Sequence, residues 1–204
     1  MKVASIQVQA NDICDYQQAS DKLIAKVREA AADHDLVLVP ECAFPAYYLE
    51  QREDDVPQIL AAGQELVAKM KMIAQQAGAY IAFGYAEVDD GNMYNTALLI
   101  DRNGNEVVKK RKSYLWHFDY RWFSEGEDLA IADTDFGRVG LVVCCDARSP
   151  EIVRLAAVAG ADLIIDLANL TATGPNIADL HNAQSAYMLS VRALENSVWL
   201  AVSD

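Results

Sequence analysis

Glycine and proline are scarce, 10 and 5 in 204 residues, and no stretch reads as a linker, a repeat or a low-complexity segment. With 52% apolar residues, this composition predicts a single globular domain over residues 1–204 with a sizeable core. A glycine-rich phosphate loop is missing. Positive charge is also in short supply. Seventeen Lys and Arg against 30 Asp and Glu give a net charge of −13, which argues against nucleic acid or an anionic membrane as partner. No apolar run approaches a membrane span, and Met1–Val8 reads as a strand rather than the long apolar stretch of a signal peptide. Cysteine is limited to Cys14, Cys42, Cys144 and Cys145. That is not a disulfide framework, and it suits a reducing, cytoplasmic setting. His34, His117 and His181 lie far apart without ligand spacing, so no metal site is expected.

The richest stretch is Val139–Glu151. Val139–Val143 is an apolar run long enough for a buried strand, and it stops at Cys144-Cys145. Ser149-Pro150-Glu151 then spells a helix start, with an N-cap, a first-turn proline and a first-turn acid. The helix is predicted through Ala159 and ends at Gly160. Two thiols thus stand where a strand ends before a helix, where a nucleophile can be exposed and activated. Taken alone, the segment fits two buried core cysteines equally well.

Elsewhere the chain alternates helices and strands. A strand at Val3–Gln9 precedes a helix at Tyr16–Asp33, and Leu36–Val39 is a continuous apolar run typical of a strand covered on both faces. Pro40 is read as ending that strand, which would put Glu41 just past it, near a cleft where its pKa can be tuned. A helix is predicted over Val56–Ala77, closed by Gly78. Ala79–Val88 and Met93–Asp101 form a hairpin across Asp89-Asp90-Gly91-Asn92, and Asn103-Gly104 turns into Glu106–Lys109. The basic run Lys109–Lys112 leads into Ser113–Phe123, whose large rings on a loop must cover something, either core or a site wall. Further strands are read at Leu129–Ala132, Ala161–Leu167 and Ser197–Val202, with a helix over about Ile177–Glu195.

Three separated motifs, Pro40-Glu41, Arg111–Leu115 and Gly140–Glu151 with its Cys144-Cys145-Asp146, resemble the nitrilase superfamily of carbon–nitrogen hydrolases. Tyr94–Ala97, Trp122–Gly126 and Arg192–Asn196 are weaker matches in the same order. The resemblance spans the whole chain. It implies an α/β fold, the α-β-β-α sandwich of two mixed sheets with helices outside. It also implies a Glu–Lys–Cys triad with Glu41 as general base, Lys112 as electrostatic stabiliser and Cys144 as nucleophile. Cys144, not Cys145, stands four residues after the motif glycine and two before the aspartate. The chemistry so implied is attack on a small amide or N-carbamoyl compound, passage through a thioester and hydrolysis, with no cofactor. Lys112 and the Cys145 N–H would receive the oxyanion.

Cys145-Asp146 after the nucleophile is similar to the amidase and carbamoylase side of the family, whereas nitrile hydrolysers commonly carry Trp-Glu. The family's second loop Glu corresponds here to Asp119, one methylene shorter. Cys145 and Asn169 are further candidates near the substrate. The alternatives are a non-catalytic assembly member of the same fold and a nitrilase. The resemblance further implies a homodimer or higher oligomer through the outer helices Ile152–Ala159 and Ile177–Glu195, where Val153, Val158, Leu180, Tyr187 and Leu189 fit either the contact patch or the core equally well. It also implies that the family's C-terminal part is missing after Asp204, leaving an open sheet edge.

Overall fold

The structure, a computed structural model, describes residues 1–10, 13–47, 49, 56–171 and 182–204. Apolar residues three and four apart give α1 (Tyr16–Ala31) a buried stripe of Leu23, Ile24, Val27 and Ala31. The same spacing gives α2 (Val56–Ala77) its stripe of Ile59, Gly63, Leu66, Met70 and Ile73. Gly78, at φ +67°, ends α2 as predicted.

β1 (Val3–Ser5), β2 (Leu36–Phe44), β3 (Tyr80–Asp89), β4 (Asn92–Ile100) and β5 (Glu106–Arg111) lie in that order in one sheet. β1 and β3 flank β2 in parallel, and β3-β4-β5 is an antiparallel meander. The β3-β4 turn places Asp90 and Gly91 at φ +47° and +76°, the left-handed pair that a two-residue hairpin loop needs. A second sheet contains β6 (Ala130–Thr134), β7 (Gly137–Val143), β8 (Leu163–Leu167) and β9 (Trp199–Ser203), again in sequence order. α3 (Pro150–Val158) and α4 (Leu189–Asn196) accompany it.

Strand alternation sorts the side chains into layers. Val37, Val39, Ile81, Phe83, Leu98 and Ile100 pack under α1 and α2. Leu36, Leu38, Ala82 and Leu99, on the opposite face, meet Val139, Leu141, Leu163 and Ile165 of the second sheet. Val142 and Ile164 turn outward to Val153 and Ala156 of α3 and Leu189 of α4. This is the α-β-β-α sandwich that the motifs implied. No helix among the described residues is long and apolar enough to cross a membrane.

Several local expectations need correction. β1 ends at Ser5 rather than Gln9. Ser149, Pro150 and Glu151 do start α3 as read, although the Ser149 hydroxyl donates to Glu151 Oε2 at 2.8 Å and accepts no backbone N–H. Of the helix residues left open between patch and core, Val153 and Leu189 belong to the core. The predicted start of the Ile177–Glu195 helix, and Leu180 with it, lies outside the described residues. Its described part is a π-turn, Gln184–Met188, running into α4.

The most consequential difference is in β2. Pro40 does not end the strand, which continues to Phe44, but pairing with β3 is irregular between Val39 and Phe44. Pro40 lacks the N–H a regular ladder would use, and Cys42 takes up φ +42°. Before the irregularity, odd-numbered residues face α1 and α2; after it Phe44 does. The bulge therefore reverses the alternation. Gly84 lies against it, where a Cβ would sit 2.5 Å from the Pro40 carbonyl oxygen and 2.7 Å from Glu41 Cα.

Candidate active site

Because of that reversal, Glu41 turns toward the inter-sheet face, where it meets Asn95 of β4. Its side chain is wholly enclosed. Oε1 accepts from Asn95 Nδ2 at 2.7 Å and from Lys112 Nζ at 2.6 Å. Oε2 accepts the backbone N–H of Asn169 at 2.9 Å. Burial pushes the Glu41 carboxyl above its ordinary range, although the adjoining Lys112 ammonium opposes that shift.

Lys112 follows β5 directly, and its N–H extends the ladder to Asn95 O at 2.8 Å. The pleat divides the basic run by alternation: Lys109 and Arg111 reach Glu87 on the α2 side, while Lys110 and Lys112 are buried on the other. A run that most often forms a solvated face thus supplies the site's one fully enclosed cation among the described residues. Lys112 Nζ also donates to Asp119 Oδ2 at 2.6 Å. Despite burial, which works the other way, Glu41, Cys144 and Asp119 together hold the ammonium in its charged form above the usual lysine range.

Asp119 comes from the aromatic loop, in a 3-10 turn over His117–Arg121. The same Oδ2 also accepts the Trp116 N–H at 3.0 Å. The loop's large apolar side chains divide between core and surface. Leu115 and Phe123 are buried and Phe118 meets the Tyr47 ring edge-on at 5.5 Å, whereas Tyr114 and Tyr120 are exposed.

Cys144 begins a 3-10 turn, Cys144–Arg148, at the C-terminal end of β7. It is 4% exposed and has φ +49°. Its thiol faces the Asn169 carbonyl at 4.0 Å. Asn169 therefore stands between the two groups, its N–H on Glu41 and its carbonyl toward Cys144. The neighbouring Cys145 thiol, burial and the Glu41 carboxylate hold the Cys144 thiol well above its usual range. Of the five non-glycine residues at positive φ among the described ones, Cys42, His117 and Cys144 cluster at this site. Such conformations cost about 1–3 kcal/mol each and persist where the surroundings over-determine them.

All of the residues read from the sequence meet here: Glu41, Lys112 and Asp119 directly, Asn169 through its backbone, Cys144 across Asn169 and Cys145 beside it. Sequence reasoning missed the residues that hold them. Asn95 sat in a quoted motif but was given no role. Asp146 binds the N–H groups of Ser113 and Tyr114 through Oδ1 at 3.0 and 2.9 Å and that of Val143 through Oδ2 at 3.1 Å. One carboxylate so joins the Lys112 loop to the Cys144 strand. Asp166, a lone acid in the apolar run Leu163–Leu167, was a legible signal. Gln184 gave none.

Comparison with known proteins places this geometry in context. A family model described as "Carbon-nitrogen hydrolase" matches residues 2–204. A nitrilase of Pyrococcus abyssi is 31% identical over 210 residues, spanning 100% of this chain and 74% of the relative. An omega-amidase of Mus musculus is 29% identical, with 100% and 74% covered. The crystal structure of an amidase from Nesterenkonia sp. superposes with a TM-score of 0.83 at 23% identity, covering 100% of this chain and 75% of that one. Another structure of the Nesterenkonia amidase holds butyramide.

Proposed function

The chain belongs to the carbon–nitrogen hydrolase family, and on that premise we propose that Glu41, Lys112 and Cys144 cleave a small carboxamide or N-carbamoyl compound through a thioester. The observation that carries this reading is the division of Glu41. One oxygen is held by Lys112 and Asn95, and the other lies on the Asn169 N–H, whose carbonyl faces the Cys144 thiol.

Each step follows from the protonation states. A thiol held above its usual range needs a base before it can attack, and a carboxylate held above its own range is a better proton acceptor than a solvated one. Glu41 takes the proton as sulfur bonds to the carbonyl carbon. The oxyanion is received by Lys112 and the Cys145 N–H. Glu41 returns the proton to the departing nitrogen as the C–N bond breaks, releasing ammonia from a primary amide. Water, deprotonated by Glu41, then splits the thioester to a carboxylic acid and regenerates the thiol. Asp119 fixes Lys112 from the opposite side and fills the role of the family's second loop acid.

The test measures ammonia release from butyramide, with nitriles and N-carbamoyl amino acids in the same panel. Cys144→Ala should lower turnover by about four orders of magnitude, while Cys145→Ala should keep most of it. The reverse pattern overturns the assignment of the nucleophile. Turnover of nitriles in preference to amides moves the substrate reading to a nitrilase.

We further propose that the chain works as one domain in a reducing, cytoplasmic setting, in keeping with the unpaired thiols of Cys42, Cys144 and Cys145. It pairs with a second copy through the outer layer of the second sheet, where Val158, Tyr187, Leu194 and Trp199 are 70–81% exposed. Sedimentation showing only monomer for an active protein would refute the pairing.

A further inference from the structure

Two peptide groups flank Cys144, and a buried side chain from outside the Cys144–Arg148 turn holds each of them. Asp166, on β8, accepts the Cys144 N–H at Oδ1, 2.7 Å away. Gln184, in the π-turn before α4, donates Nε2 to the Cys144 carbonyl at 2.8 Å. Neither side chain has appreciable contact with solvent. The angles φ and ψ are the rotations of these two planar peptides about one Cα, so fixing both planes fixes the residue. Here the fixed conformation is left-handed, which a side chain with a Cβ adopts reluctantly.

The orientation of the Gln184 amide is settled by chemistry. Its other end meets Arg148 Nε at 2.6 Å, and arginine only donates, so Oε1 must face it and Nε2 must face the carbonyl. Arg148 is itself held 5.8 Å above the Trp116 ring. In a trans peptide the carbonyl and the following N–H point in opposite directions. By drawing the Cys144 carbonyl to itself, Gln184 turns the Cys145 N–H the other way. That N–H lies in the first turn of a helix, where no intrahelical acceptor precedes it.

Asp166 is suited to holding an N–H without adding charge. It is wholly buried between Val142 and Val202 of the adjoining strands, and no cation contacts it among the described residues. Its second oxygen has no hydrogen-bond partner among them. Burial raises the carboxyl well above the usual range against the pull of the Cys144 N–H and the more distant Lys112, and the nearby charges of Glu41 and Asp146 add to the rise.

We propose that Asp166 and Gln184 are positioning residues that clamp the nucleophile's two peptide groups, and that Gln184 thereby aims the oxyanion-binding N–H of Cys145. The proposal rests on Cys144 as nucleophile, and its test separates the two. Kinetics of butyramide hydrolysis are measured beside the rate at which iodoacetamide labels Cys144, read by peptide mass mapping. Alkylation needs the thiol but no oxyanion site. Gln184→Met and Gln184→Glu should therefore lower kcat by about tenfold to a hundredfold, leave KM within about threefold and leave Cys144 labelling near the parent rate. Gln184→Glu keeps a partner for Arg148, so it carries the test if the Met variant folds poorly. Asp166→Val should slow both hydrolysis and labelling of Cys144 at least about tenfold, and Asp166→Asn, which retains an acceptor, should recover most of both.

A merely structural role predicts something different: faster labelling of all cysteines together with a lower melting temperature. That result, or Gln184 variants with kcat within twofold of the parent, overturns the clamp. Asp166→Val labelling at the parent rate overturns its half without reference to any substrate. Continued hydrolysis by Cys144→Ala removes the nucleophile reading instead.

Discussion

Two carboxylates on neighbouring strands, Glu41 and Glu87, meet cations from the same four-residue basic run and end with opposite acidities. Glu87, on the α2 face, has Lys109 and Arg111 beside it and a hydrogen bond from the Thr96 hydroxyl at 2.8 Å. Burial works to raise its pKa, but those donors outweigh it and the carboxyl is held below the usual range. Glu41, on the inter-sheet face, shares one ammonium with Asp119, and burial wins. Two cations around one partly solvated acid make a structural ion cluster. One cation between two enclosed acids leaves a carboxylate that still wants a proton. The difference lies in stoichiometry and burial rather than residue type, and strand alternation decides which cation goes where.

Removing the shared cation should have the largest effect. Lys112→Met leaves Glu41 and Asp119 buried without compensation, and the expected loss is about 3–5 kcal/mol in urea unfolding, with amide turnover abolished. Next comes Asp119→Asn. It removes a negative charge that raises Glu41, so the acidic limb of the kcat/KM–pH profile should move to lower pH, with turnover reduced about tenfold. An unmoved limb would mean that Asp119 does not act on Glu41.

The pair of carboxamide variants sharpens the contrast through its sign. Glu87 has a lowered folded pKa, so its contribution to stability is present above the unfolded value and lost as pH falls through the folded one. The melting deficit of Glu87→Gln should therefore be visible at neutral pH and vanish in acid. Glu41 has a raised folded pKa, so its contribution is present in acid and lost as pH rises through that value. Relative to the parent, Glu41→Gln should gain stability as pH rises. Parallel pH slopes would break the comparison. The smallest effect belongs to Lys109→Met, whose side chain is 39% exposed. It should cost less than about 1 kcal/mol and leave turnover unchanged.

Much of this was legible in the sequence because local rules and tertiary context agree there. The limits of α2, the Asp90-Gly91 hairpin and the strand ending at Cys144 all follow from periodicity and turn chemistry. Three motif residues could be named without knowing how they meet. What could not be read is what depends on packing. Pro40 reads as a stop, yet the strand absorbs it as a bulge. Val153 and Leu189 were candidates for an outer surface, but periodicity alone does not say which side of a helix another layer covers. Asp166 is an acid among Leu and Ile, a signal that the sequence reading passed over, and only the structure reveals the N–H it holds. Gln184 has no sequence signal, because a glutamine near a helix start ordinarily faces water.

The irregularity in β2 makes the site depend on a count rather than a choice of residue. Side chains along a strand are dealt alternately to two layers, and the segment Pro40–Cys42 misdeals once, which brings Glu41 to Asn95 and Lys112. Deleting Cys42 or Ala43 would restore the even deal and send the carboxylate toward the α1 and α2 layer with its chemistry unchanged. A point change at Gly84, which carries no functional group, would press on the same misdeal from the next strand. In a mutational survey scored only by amide turnover, deletions here and side chains at Gly84 should rank beside substitutions of the reacting residues. To a reader looking for reactive groups they would pass as spacing.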